Sequence, residues 1–445
     1  MKKMRTALLS TAALVGLAVS PLAAASAQTT EPATPSVGEG FSHIATHPQA
    51  ALQPEWSRSL DALHYYDGKL IAGYGDYSDN TGPIALNPFD IASGQFTGVE
   101  ATLAGEEILV FREVGGALYA PNIDPRTGWN SPTGYATNRS GSWAEERHVP
   151  FVHVYDVAER VPGEMWMVGS ANKIDGSAFG AATLYKSTDG GESWSFERQD
   201  TDANESDRNG VERYYWIGAA GGKVIMQASS VRDAPINIYD GSSWSTVKKL
   251  PKDWMGGWNS YDGPQMCSGA TDPAMVGHLG DDLMVCNGET DFRTGAGSSV
   301  TFDGRVLTRH VGGWVGGHLS NPGGSYTIAR VSDWYEADDG WLYALSPKGV
   351  ARTKDGASFE VLYEGRTGAS SIAVHDGTIY LGAGEGSIHA SDLTSDEMAA
   401  ALGKTVHPTS SMSVKVGGGG GGGNEKGPDH PSNKPGKGKG NTGQI

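Results

Sequence analysis

Two cysteines in 445 residues, Cys267 and Cys286, are too few for a disulfide-scaffolded fold, and without paired histidines beside them they make no zinc site. Long apolar runs are also missing. The longest, Ala7 to Val19, is interrupted by Ser10, Thr11 and Gly16, and no later stretch approaches the roughly 20 apolar residues of a membrane-spanning helix. Basic residues are scarce: 34 Lys and Arg face 51 Asp and Glu, for a net charge of −17. That balance excludes nucleic acid as an expected partner, because binding by counterion release needs clustered cations facing phosphate. There is no phosphate-cradling glycine loop before a helix, no Gly-x-Ser-x-Gly elbow and no His-Glu-x-x-His, so the common exported hydrolases fall away. Asp200 to Asp207 opens like a calcium loop, yet Glu205 stands where an EF-hand needs glycine and Val211 holds the twelfth place. We expect a solvated loop there, and no metal or other cofactor.

The two ends differ from the middle. Residues 1–27 carry Lys2, Lys3 and Arg5, then the apolar run, then Ala25-Ser26-Ala27, the pattern of a removable secretion signal. Residues 28–41 read as a linker. Residues 417–445 begin with seven glycines and continue in Lys, Pro, Asn and Gly, too poor in apolar side chains to offset the entropy of ordering, so a disordered tail is expected. Without these ends, residues 28–416 carry about −22, which suits a neutral or cationic ligand and equally suits plain solubility outside the cell. The expectation is a secreted monomer. In an exported chain the 19-residue separation of Cys267 and Cys286 predicts one disulfide, the alternative being two buried free thiols.

What the sequence has in abundance is glycine, 64 residues, much of it in a repeated turn-and-strand unit. Seven instances are marked by Gly68, Gly116, Gly163, Gly222, Gly280, Gly340 and Gly377, each followed by a short apolar strand such as Lys69-Leu70-Ile71 or Thr378-Ile379-Tyr380. Their spacing averages about 51 residues, the length of a four-stranded propeller blade. The predicted fold is all-β: a seven-bladed β-propeller over residues 42–416, with six blades as the competing count. Residues 42–58, or Val414-Lys415-Val416, are candidates for a strand that closes the ring, since closure removes an exposed edge. Ser395 to Leu402 reads as a helix outside the blades.

One turn is more specific. Ser187-Thr188-Asp189-Gly190-Gly191-Glu192-Ser193-Trp194 matches Ser-x-Asp-x-Gly-x-x-Trp, and by it the chain resembles the Asp-box (BNR) repeat β-propellers, the architecture of sialidases and other glycan-active proteins. The resemblance implies a propeller and a carbohydrate ligand. It implies nothing catalytic for the box, which in those families lies at the blade periphery. Sialidase activity itself is not implied: Phe111-Arg112-Glu113-Val114 only partly echoes the Phe/Tyr-Arg-Ile-Pro signature, and no arginine lies between Arg58 and Arg112, although Tyr335-Glu336 is present.

Candidate chemistry follows from where propellers bind ligands, at the mouth where inner strands begin and second strands end. The carboxylates Asp76, Asp124, Glu107 and Asp333 could supply the acid and base of glycoside hydrolysis, which requires two of them about 5 to 9.5 Å apart; alternatively Asp76 and Asp124 cap their own turns. His153, alternating with apolar neighbours on a strand, is either a general acid or base oriented by Asp156 or another carboxylate, or a hydrogen-bonded core histidine. Tyr74, Tyr77, Asn80, Trp129, Arg213, Tyr214 and Trp334 are expected to contact substrate, the aromatics by stacking on sugar rings and Arg213 by gripping an anionic group; alternatively Arg213 forms an ion pair with Glu212 or another carboxylate. The chain is thus expected to recognise, and on the stronger reading to hydrolyse, a glycan; the rival is a non-catalytic binding or scaffold propeller.

Overall fold

The computed structural model describes residues 37–125, 133–172, 180–200, 213–228, 235–247, 250–251, 254, 266–267, 273–287, 298–314, 318–320, 326–328 and 331–416. The expected secretion signal, most of the linker, the C-terminal tail, Trp129 and most of the calcium-loop look-alike lie outside them. Within them the secondary structure is almost all strand, with short 3-10 turns and one α-helix, Ser395–Leu402.

The strands form antiparallel sheets, mostly from neighbours in sequence. Hairpin chemistry explains why. Asp67 and Gly68 have φ of 48° and 79°, and Asp376 and Gly377 repeat the pair at 48° and 77°, the left-handed geometry that lets a two-residue turn follow the twist of its flanking strands. The outer hairpins share a second device. The Asp189 carboxylate accepts the Ser187 hydroxyl and the Ser193 N–H, and Asp240, Asp303 and Asp355 each accept two backbone N–H groups from the residues just after them. One acidic residue per turn replaces the bonds the chain loses on reversing. Trp194 folds back and donates its indole N–H to the Tyr135 hydroxyl at 3.0 Å.

The first strands of successive sheets are tied to one another by hydrogen bonds or ion pairs. Tyr66, at the end of Leu60–Tyr66, donates to the Gly116 carbonyl beside Arg112–Val114. Arg112 pairs with Asp156 of Ala144–Val161 at 2.8 Å, and Asp156 accepts the N–H of Ile217 ahead of Gly218–Ala220. The Ala219 N–H reaches His278 of Val276–Leu279, and Met275 accepts from the Trp334 indole of Asp333–Glu336. Asp333 accepts the N–H of Ile372 in Ala369–His375, and Ser371 on that strand returns to the Leu60 carbonyl. Apolar side chains such as Leu60, Ile71, Leu345, Ile372 and Leu381 fill the space between neighbouring sheets.

Three features go beyond the repeat itself. The strand Ala144–Val161 runs 18 residues and bends at three register shifts, ending one four-stranded unit and opening the next, so that both merge into a seven-stranded sheet. Phe41–Thr46 pairs with Ser387–Ser391, joining the two ends of the described fold in one sheet. Ser410–Lys415, the other candidate for closure, instead adds to the outer edge of Val306–Val311. The helix sits beside this scaffold with a capping box: Thr394 accepts from the Glu397 N–H while the Glu397 carboxylate takes the Thr394 N–H. Cys267 and Cys286 form a disulfide, with 5.6 Å between their Cα atoms.

Candidate functional site

Four separate segments meet around His153. Its strand pairs with Glu164–Asn172, which places Ser170 opposite; the Ser170 hydroxyl lies 2.5 Å from His153 Nδ1. On the other side His153 Nε2 lies 3.3 Å from Asp124 Oδ2. Asp124 sits at φ 50° in the short strand Ile123–Pro125, held against Gly105–Glu107 with Ile123 opposite Glu107. That close approach depends on Gly105, where any Cβ would stand 1.8 Å from the Asn122 side chain. His153 is 1% exposed and Ser170 is fully buried, whereas the Asp124 side chain is 18% exposed. Burial lowers the His153 pKa, the Asp124 carboxylate opposes that, and the Arg213 charge adds to it. The imidazole is therefore a buried link, and Asp124 is the member of the chain that reaches solvent.

An aromatic and cationic layer covers the same spot. Tyr155, two residues along the strand and so on the same face as His153, stacks on it with ring centroids 5.5 Å apart. Tyr215 packs on Tyr155 at 4.6 Å. Arg213 donates to the Tyr215 hydroxyl at 3.0 Å, with its guanidinium 5.8 Å from that ring's centroid. Tyr77, 44% exposed, completes the group: partial burial raises its hydroxyl pKa first, and Tyr215, Glu107 and Arg213 are its electrostatic neighbours. Burial drives the Tyr155 hydroxyl well above the ordinary phenol range.

The fold thus brings together five of the residues expected from sequence: Asp124, His153, Glu107, Arg213 and Tyr77. Others are elsewhere or otherwise engaged. Asp76 turns its carboxylate to the Ser78 N–H of its own loop at 2.7 Å, and that loop is pinned by Thr81, whose hydroxyl bonds Asp76 and the Glu106 carbonyl. Asn80 is exposed on the loop at φ 52°. Tyr74 is buried, sharing its hydroxyl with the backbone of Ala85; Tyr214 is buried and donates to Asp200. Neither offers a ring face to a sugar. Asp333 is buried and spends its two oxygens on the N–H groups of Trp334 and Ile372, while Trp334 is itself buried with its indole on Met275. Asp156 does not orient His153; it faces Arg112, and that pairing also removes Arg112 from any sialidase-like role.

Sequence reasoning missed Ser170, Tyr155 and Tyr215. The period-two spacing His153–Tyr155 and Arg213–Tyr215 carried a signal for the tyrosines, but Ser170 is set by cross-strand register, which no local pattern encodes. A cavity of 680 Å³ opens among the hairpin turns and is lined by Glu113, Glu159, Asp281, Glu336 and Asp338 beside Trp334. It shares none of the His153 cluster.

No protein-family model matches the chain, and no curated protein matches it. Solved structures with a loose likeness include virginiamycin B lyase from Staphylococcus aureus, at 11% identity over 79% of this chain and 98% of that one, TM-score 0.41. BamB from Moraxella catarrhalis is 10% identical over 74% and 83%, TM-score 0.37, and an ulvan lyase of a polysaccharide lyase family is 12% identical over 82% and 97%, TM-score 0.39.

Proposed function

We propose that the chain is an exported, monomeric, seven-bladed β-propeller that binds a glycan at the mouth formed by Tyr77, Asp124, Arg213 and Tyr215 and performs acid–base chemistry on it. The seven-bladed reading rests on the ring of links between first strands, which passes through seven strands, two of them in the merged seven-stranded sheet, before Ser371 returns to Leu60. The observation that carries the function is the convergence of His153, Asp124 and Arg213 from three distant segments beneath and beside two partly exposed tyrosines. Partly exposed tyrosines give a sugar ring apolar faces and hydroxyl partners at low entropic cost. Asp124 is the group that meets the substrate, and His153 with Ser170 is its positioning support. Export follows from the Lys2-to-Ala27 pattern.

A rival reading, a binding module without turnover, draws on the burial of His153 and Ser170. Incubating the mature protein with a glycan panel, while following both retention and released sugar, separates the two. Asp124→Asn is expected to abolish product and Asp76→Asn to leave most of it. Equal product from wild type and Asp124→Asn would remove Asp124 from the mechanism, and retention with no product would favour the binding module.

A further inference from the structure

The sheet that joins the two ends of the described fold is held by a strand that adds little to the core. Of the six residues in Phe41–Thr46 only Phe41 is buried, and the register with Ser387–Ser391 slips between His43 and Ala45. A segment that buries so little apolar surface detaches locally at lower cost than the sheets around it. At the centre of this seam two histidines stand directly opposite one another, His43 on the leading strand and His389 on its partner. Their ring centroids are 5.4 Å apart and their planes are near perpendicular. His43 also meets the Thr46 hydroxyl through Nε2 at 3.0 Å. His389 is 6% exposed, yet neither of its ring nitrogens completes a hydrogen bond; the Phe41 backbone approaches it without ordinary hydrogen-bond geometry. A buried imidazole normally spends at least one nitrogen on a partner, as His47 does in accepting the Ala50 N–H.

We propose that His43 and His389 make this seam an acid-sensitive clasp: a proton on His389 is incompatible with the closed pairing, so in mild acid Phe41–Thr46 releases from Ser387–Ser391 while the other sheets stay formed. A charged His389 in the closed seam would lack both water and an acceptor. The side chains around it do not compensate that charge. Leu381 faces it from the neighbouring strand Thr378–Ala383, and Tyr363 meets the same face of the sheet through the Phe41 ring. Asp392 accepts from Ser42, which lies opposite Ala390 and so on the other face, as does Tyr380. His43 is the titratable group that faces His389, and a proton there adds repulsion. Burial first and His43 second lower the His389 pKa, with the Phe41 backbone acting against them. In a detached strand the imidazole returns to its ordinary value near 6.5. The closed seam is therefore most stable above pH 6.5 and loses stability as pH falls, its opening constant rising by up to about tenfold per pH unit for one proton. At the root of the strand the His47 N–H stays on the Gly386 carbonyl, and His47, lowered to about 4 by burial, remains neutral through this range, so the release ends there.

The test follows amide hydrogen exchange of the full chain by mass spectrometry at pH 7.5 and 5.0, with each rate divided by the intrinsic rate at that pH. Peptides over residues 41–46 and 387–391 should show an opening constant roughly tenfold higher at pH 5.0 than at pH 7.5. At both values they should exchange well ahead of Leu342–Ser346, a buried strand of another sheet. His389→Gln and His389→Leu should each bring the ratio between the two pH values at the seam to within about twofold of one, whatever they do to its absolute opening. Two replacements are used so that the packing of one does not decide the outcome. His43→Gln, at an exposed position, should lower the ratio without abolishing it, because burial of His389 remains. Thermal melting of each variant confirms that it is folded. A wild-type ratio near one overturns the clasp, as does a ratio that survives both His389 replacements. Equal opening constants for the seam and for Leu342–Ser346 at pH 5.0 also overturn it, because the whole fold and not the seam would then be answering to acid.

Discussion

Asp333 stands in its sheet as Asp156 stands in its own: each accepts the N–H of the next residue with one carboxylate oxygen and, with the other, an N–H from in or just before the first strand of the following sheet, Ile372 for Asp333 and Ile217 for Asp156. Two buried carboxylates 177 positions apart in the chain therefore make the same stitch. Asp156 also meets an arginine, Arg112, and burial raises its pKa against that pairing. Asp156→Ala leaves two backbone donors and a guanidinium without their carboxylate and is expected to cost about 3–5 kcal/mol. Urea unfolding of the variant measures the loss, and one under about 1 kcal/mol would mean that the buried ion pair adds nothing.

The disulfide offers a simpler check. Cys267 and Cys286 close a loop of about 20 residues, and constraint of the unfolded chain by such a loop is worth about 3 kcal/mol. Replacing both cysteines by serine should lower stability by that order. Adding a reductant to the variant should change nothing further, whereas reductant added to the wild type should reproduce the loss.

Two histidines, the buried His47 and the half-buried His278, shape the response to acid. His47 is lowered to about 4 and His278 to about 3, in both cases first by burial, from the 6.5 each has when exposed. Below pH 6.5 the unfolded chain binds protons that the folded chain refuses. Their contribution to stability is thus complete above pH 6.5 and is lost progressively as pH falls toward 4, with each histidine adding a slope of about 1.4 kcal/mol per pH unit. His47→Gln should flatten the stability profile between pH 4.5 and 6 by about one proton's worth. A profile identical to wild type in that interval would show that His47 is not kept neutral by the fold.

At the mouth, the Asp124 carboxylate acts to raise the His153 pKa against the lowering by burial and by Arg213. Asp124→Asn removes that support. Nuclear magnetic resonance of the His153 ring should show the variant's titration moved to lower pH than in the wild type, with His47 unmoved. A shift upward, or none, would mean that the 3.3 Å approach of the two groups carries no electrostatic coupling.

Much of the strand rhythm was legible because its signals are local. A hairpin is written in two to four residues, and Asp67-Gly68, Asp376-Gly377 and the Asp189 turn adopt the conformations their residue types favour. The incomplete turn Thr353-Lys354-Asp355-Gly356, one residue short of the Ser187–Trp194 pattern, still uses its aspartate in the same way. The site was legible only in part. His153, Asp124 and Arg213 stood out by type, yet their partners depend on register and on sheet-to-sheet packing: Ser170 is chosen by the strand opposite, and Asp124 rather than the sequence-near Asp156 reaches the imidazole because Asp156 is claimed by Arg112. Tyr74, Tyr214 and Trp334 misled because an aromatic beside glycine or acid reads alike whether it faces solvent or fills a core.

The pairing of Phe41–Thr46 with Ser387–Ser391 also sets a schedule for synthesis. The leading strand leaves the ribosome more than three hundred residues before its partner exists, so this sheet is among the last that a growing polypeptide can complete. Until then Phe41–Thr46 is an unmatched edge, and a cell making the protein must shield that short segment from its neighbours for nearly the whole of translation.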